Sequence, residues 1–127
     1  MIALDEMVAH LERQRFTFAN EAELRAGIAA SFRADWRGGT PLDLLPEVHL
    51  SERDRIDFMA AYRGAAIGIE VKVKGSLSDI CAQLLRYAES PRVGALILVT
   101  ARAAHKHLHA ETLLGKPLRI VHAGGIG

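Results

Sequence analysis

The chain has 127 residues, half of them apolar and 24% charged, with a formal net charge of +1. That size suits one domain with one core, and so small a net charge gives no argument of its own for nucleic acid, so any cationic surface must be local. The lone cysteine, Cys81, excludes an internal disulfide and fits a reducing, cytoplasmic setting, and no run approaches the roughly 20 apolar residues of a membrane span.

Residues 3 to 14 have helical spacing, with Leu4, Met7, Val8 and Leu11 on one stripe. Their early acids and lack of a long apolar run do not match a signal peptide. A second helix is predicted from Asn20 to about Asp35. Asn20 is a good N-cap, Glu23 completes a capping box, and Leu24, Ile28 and Phe32 form the apolar stripe. "RGGTP" ends it, with Trp36 covering the helix end. Strands are predicted over 47–50, 55–62 and 66–73, then a helix over 77–89 capped by Ser76 and Ser78. Ile80, Leu84 and Tyr87 share one side of that helix, and Cys81 is expected as a small core residue near Leu85 and Ala88. "GALILVT" (94–100) is a continuous apolar run, as in a strand covered on both faces. A loop with His105, His107 and His109 follows, then a candidate edge strand over 118–121 and a frayed tail. The order implies an α/β fold with a mixed sheet flanked by helices. The division is a helical extension over 1–19, a core over 20–101 and a C-terminal segment over 102–127. The extension either packs on the sheet or forms an interface.

The hairpin "IDFMAAYRGAAIGIEVKVKGS" carries charges among its apolar residues. A turn centred on Arg63-Gly64 places Asp57 opposite Glu70 and Arg55 opposite Lys72, and opposed residues share a face of a sheet. Arg55, Asp57, Glu70, Lys72 and Lys74 then project to one side, while Ile56, Phe58, Ile69, Val71 and Val73 project to the other. Two neighbouring carboxylates need a cation between them. An oxygen-only set suits Mg²⁺, which takes one or two carboxylates and keeps several waters. Such an ion activates water and stabilises charge on a phosphoryl group, and Lys72 is placed to assist. The same spacing equally suits a sheet with one wet face of cross-strand charge pairs.

Asp57, followed by Glu70-Val71-Lys72 on the next strand, resembles the PD-(D/E)XK nuclease motif. Gln83 and Tyr87 on the following helix match the Q-x-x-x-Y element of its RecB-like and λ-exonuclease-like branch. Ile56 stands where the motif's name has proline. The resemblance covers residues 20 to 100 and implies a restriction-endonuclease-like core: helix, three strands, helix, strand. It implies Mg²⁺ or Mn²⁺ held by Asp57, Glu70 and the Val71 carbonyl, with Lys72 as the catalytic lysine. Gln83 and Tyr87, one helical turn apart, would line the site or contact DNA. Many members add an acid from the first core helix. Glu21 falls on the Leu24 stripe and Glu23 roughly opposite, which favours Glu21, although a first-turn acid also suits the helix dipole.

Arg53, Arg55, Lys72, Lys74 and Arg86 form an expected cationic patch for a few phosphate contacts. Alternating His105, His107 and His109 would face together on a strand, yet a polar loop explains them more simply than a metal site. The combined expectation is a metal-dependent deoxyribonuclease of phage, prophage or DNA-repair type, recognising structure or ends, acting as a homodimer or in a larger assembly, with no membrane partner. The alternatives are a Holliday-junction resolvase or RNA-directed nuclease of the same fold, a catalytically silent DNA-binding or assembly protein, and a protein-binding domain with a chance motif.

Overall fold

Apolar spacing sets the helices of the computed structural model, which describes residues 1–108 and 111–124. Leu4, Met7 and Leu11 are the buried stripe of α1 (Ile2–Arg13), and Leu24, Ile28 and Phe32 that of α2 (Glu21–Asp35). The side chain of Asn20 accepts the Glu23 N–H at 2.9 Å, and the Glu23 carboxylate accepts the Ala19 N–H at 2.8 Å. These bonds satisfy donors that the first helical turn leaves open. At the other end Trp36 donates its indole N–H to the Thr40 carbonyl at 3.2 Å.

The remaining elements are β1 (Asp43–His49), β2 (Arg55–Tyr62), β3 (Ala65–Lys72), α3 (Leu77–Glu89), β4 (Ala95–Thr100), a 3₁₀ turn (Ala103–His107), β5 (Thr112–Leu113) and β6 (Lys116–His122). The six strands form one mixed sheet in the order β1-β2-β3-β4-β6-β5. β1, β2 and β3 are antiparallel, β4 and β6 run parallel to β3, and β5 runs antiparallel to β6. Arg63 and Gly64 turn the hairpin with φ of 50° and 76°, the left-handed pair that a two-residue turn requires. Its register follows, with Tyr62 opposite Ala65 and Phe58 opposite Ile69.

Both faces of the sheet are covered, so all six residues of β4 are buried. α1 and α2 pack on one face against Phe58, Tyr62, Ile69, Val71, Ile97 and Val99. α3 packs on the other through Ile80, Leu84 and Tyr87 against Met59, Leu96 and Leu98. Each such fully buried side chain contributes about 1.5–3 kcal/mol. Residues 1–19 are thus part of the core rather than an appendage.

Several expectations change. β1 starts at Asp43, four residues before the predicted strand, and its ladder skips Glu47, whose φ is 50°. The predicted edge strand lies between β4 and β5. Ile56 packs with Met59 on the α3 face instead of with Phe58, because Gly68 leaves room there: a Cβ on Gly68 would lie 2.5 Å from the Ile56 Cδ1. Cys81 is half-buried and Leu85 is 41% exposed, so neither belongs to the core. His105 does not share an exposed face with its neighbours. It is buried, with Nδ1 against the Thr100 hydroxyl and Nε2 3.0 Å from the Gly75 carbonyl. His107 is exposed, and His109 lies outside the described residues.

Candidate active site

The β2–β3 ladder stops at Phe58 and Ile69. Beyond that pair, carboxylates take over backbone donors that a ladder would use. Asp57 Oδ2 accepts the Val71 N–H at 2.8 Å, and Glu70 Oε1 accepts the Asp57 N–H at 3.2 Å. Glu21, at the first turn of α2, accepts the Val73 N–H at 3.1 Å. Three acids from three elements therefore line a fork at the end of the hairpin. This fork lies at the C-terminal end of β3, the end of parallel strands where α/β sheets bind ligands.

Glu70 is the most enclosed of them, at 3% exposure. The charge-bearing face is not the wet side that alternation alone allows, since α3 covers it. Burial, together with the neighbouring Asp57, pushes the Glu70 carboxyl up to about 8, and Lys72 opposes the rise. Burial also raises Asp57, against the pull of the Val71 N–H. Lys72 Nζ lies 3.3 Å from Glu70 Oε2 and stays partly exposed, so it faces both the acid and the opening.

Gln83 and Tyr87 are brought together, but as a support for Glu70. Gln83 donates to the Tyr87 hydroxyl at 2.8 Å, and that hydroxyl lies 3.2 Å from Glu70 Oε2 and 3.0 Å from the Arg55 carbonyl. Tyr87 is fully buried, so it cannot contact DNA. Burial, then the neighbouring Glu70, raises its phenol, which keeps it a hydrogen-bond donor.

The other predicted residues divide. Lys72, Lys74, Gln83 and Arg86 line one cleft of about 370 Å³ beside α3, with Asp79 as its acid. Arg86 is held there by Asp54 at 3.0 Å. Arg55 does not pair with Lys72. It lies opposite His49 in the ladder with β1, its side chain is exposed, and the site uses only its carbonyl. A roomier cleft of about 660 Å³, lined by Met1, Arg63 and Arg92, sits at the hairpin turn and touches none of these residues.

Arg25 was not among the predicted residues. Its Nη1 lies 3.3 Å from Glu21 Oε2 and 3.9 Å from Asp57 Oδ1. The signal was present: Arg25 follows Glu21 by four residues, so the two share a helix face. His105 carried no such signal, because its partners Thr100 and Gly75 come from separate segments.

The donors in the fork are all oxygens, a set that suits Mg²⁺ or Mn²⁺ over softer metals. Among the described residues no three His, Cys, Asp or Glu side chains converge on one ion position. Two carboxylates nevertheless suffice for an ion that keeps its waters. Val71 turns its N–H to the fork, and the N–H and C=O of one extended residue point the same way. Burial raises both Asp57 and Glu70, and a cation between the two carboxylates would oppose that rise. Among the described residues no helix is long and apolar enough to cross a membrane. Comparison of the chain with protein-family models, curated proteins and solved structures gives no match.

Proposed function

We propose that the chain is a metal-dependent nuclease that hydrolyses phosphodiester bonds in DNA. The observation that carries this reading is the buried Glu70 beside Asp57, pushed up to about 8, with Lys72 at 3.3 Å and the cationic cleft alongside. A site whose acids are both raised, first by burial and then by neighbouring acids, is poised to exchange protons for a cation. The arrangement α2, β1 to β3, α3, β4 supports a restriction-endonuclease-like core as part of the same proposal.

Asp57, Glu70 and the Val71 carbonyl would hold Mg²⁺ or Mn²⁺, with Glu21 at the rim. The bound ion would supply Lewis acidity, easing water ionisation and charge build-up on the phosphoryl group. Glu70 would hold the ion as its carboxylate, so binding would release its proton to solvent. Tyr87 and Gln83 fix the carboxylate of Glu70. Lys72, free on its outer side, binds the phosphoryl oxygen or orients the attacking water. Lys74 and Arg86 hold flanking phosphates along the cleft. With so small a recognition surface, structure or ends of DNA are the expected targets, and a homodimer or larger assembly and a cytoplasmic setting belong to the same proposal.

The test is cleavage of linear duplex, single strand, flap, four-way junction and RNA by the purified chain, with Mg²⁺, Mn²⁺ or chelator. Metal-dependent cutting lost in both Glu70→Ala and Lys72→Ala establishes the nuclease, and the preferred substrate separates a resolvase or an RNA-directed enzyme from a general deoxyribonuclease. DNA binding without metal that survives Asp57→Ala, with no cutting, replaces it by a silent DNA-binding protein.

A further inference from the structure

We propose that Arg25 is an exchangeable counter-ion of the site: it holds Asp57 until a divalent cation displaces it, and then binds a phosphate of the DNA. The inference rests on the nuclease reading above.

Of the three acids of the fork, Glu70 and Asp57 are served by different cations. Lys72 serves Glu70 at 3.3 Å, and Arg25 serves Asp57 at 3.9 Å. The second distance is well beyond the roughly 2.7–2.9 Å of a charge-assisted hydrogen bond, so this contact is Coulombic and loose. Asp57 spends Oδ2 on the Val71 N–H, which leaves Oδ1, the atom facing Arg25, for an incoming cation. A guanidinium and a divalent ion at one oxygen repel each other. Arg25 is the partner able to move: its side chain is 31% exposed, and it can swing outward without crossing the core. Its second anchor, Glu21, lies one turn back on the same helix and keeps it at the rim. A freed guanidinium there has the planar fork that grips phosphate oxygens in pairs. The surface of α2 thereby adds a DNA contact across the site from Lys74 and Arg86.

Mn²⁺ binding to the full chain, measured by calorimetry at fixed pH without DNA, tests the exchange. Arg25→Met removes the charge while keeping an unbranched apolar stem and helix propensity. Its Mn²⁺ dissociation constant should fall about tenfold, or about 1.4 kcal/mol. Arg25→Lys keeps the charge and should stay within about twofold of the parent chain, which separates charge from packing. Binding of a phosphorothioate duplex tests the second half. Divalent cation should strengthen binding by the parent chain, and about fivefold less so in Arg25→Met, as befits one lost phosphate contact. Asp57-dependent Mn²⁺ binding with no gain in Arg25→Met, or equal strengthening of DNA binding in both chains, overturns this inference alone. Mn²⁺ binding that is absent, or that survives Asp57→Asn in a chain with unchanged circular dichroism, overturns the nuclease reading and this inference with it.

Discussion

Two buried ionisable side chains stand on opposite faces of the sheet, and burial pushes both towards their neutral forms. His10 lies between α1 and α2, fully buried, its ring 4.3 Å from that of Phe32 and 5.4 Å from that of Trp36. Its Nε2 is 3.0 Å from the Ser31 hydroxyl, which in turn donates to the Ile28 carbonyl at 2.7 Å. Burial, helped by Arg13, lowers it to about 4. Glu70 lies under α3, equally enclosed, and burial raises it to about 8. The difference is in what surrounds the neutral form. His10 has its ring packed and its nitrogens met, so the neutral state is complete. Glu70 has Asp57 beside it and Lys72 within 3.3 Å, so its neutral state is a compromise that one more cation would tip. Equal burial thus yields a fully satisfied residue in one place and an electrostatically crowded one in the other.

Substitution breaks the comparison most sharply. Glu70→Gln should lower metal-dependent cleavage by about 10²–10³-fold, the scale of losing one organised charge at a reacting centre. The same change should raise the melting temperature of the metal-free chain at pH 8, because it removes a charge that burial opposes. His10→Ala should do the reverse. It should cost about 2–5 kcal/mol in denaturant melts, as truncation of large buried side chains does, while cleavage per folded molecule stays unchanged.

Acidity separates the two by sign. Folded Glu70 keeps its proton to about pH 8 while the unfolded chain loses it near 4.5. The folded state therefore binds more protons across that window, and metal-free stability falls as pH rises from about 4.5 through about 8. His10 runs oppositely: unfolded it protonates near 6.5 and folded only near 4, so stability falls as pH drops between those values. Melts from pH 4 to 9 should show both slopes. Glu70→Gln should flatten the alkaline one, His10→Ala should lessen the acid one, and Mn²⁺ should suppress only the alkaline loss.

Tyr87→Phe tests the hydroxyl that supports the Glu70 carboxyl and the proposed metal-holding role of that group. Losing the hydroxyl between Glu70 and the Arg55 carbonyl should cost about 1–2 kcal/mol of stability. It should also weaken Mn²⁺ binding by about tenfold in calorimetry, as loss of an outer support does. The smallest effect is Asn20→Ala, about 1 kcal/mol from the lost cap, read as a lower melting temperature with unchanged Mn²⁺ affinity.

By itself the sequence determined the bounds of α2, β2 and α3 and the hairpin register from Tyr62–Ala65 to Phe58–Ile69, but not the expected Asp57–Glu70 and Arg55–Lys72 pairs beyond it. Those bounds and that register depend on neighbours within a few residues: the Asn20 cap, the Arg63-Gly64 turn and the helical spacing of Ile80, Leu84 and Tyr87. It also placed Asp57, Glu70 and Lys72 together, and Glu21 near them, because strand pairing and helix faces follow from spacing. β1 was legible only in part, since Glu47 leaves its ladder and edge strands carry weak patterns. Only the tertiary structure decided that α3 closes over Glu70, that Tyr87 faces the acid rather than solvent, that Ile56 crosses to fill the space over Gly68, and that His105 is buried between Thr100 and Gly75. Each depends on how elements pack on the sheet rather than on spacing along one element. Whether a charge is solvated or crowded depends on which surfaces meet, and that is set when the helices pack on the two faces of the sheet.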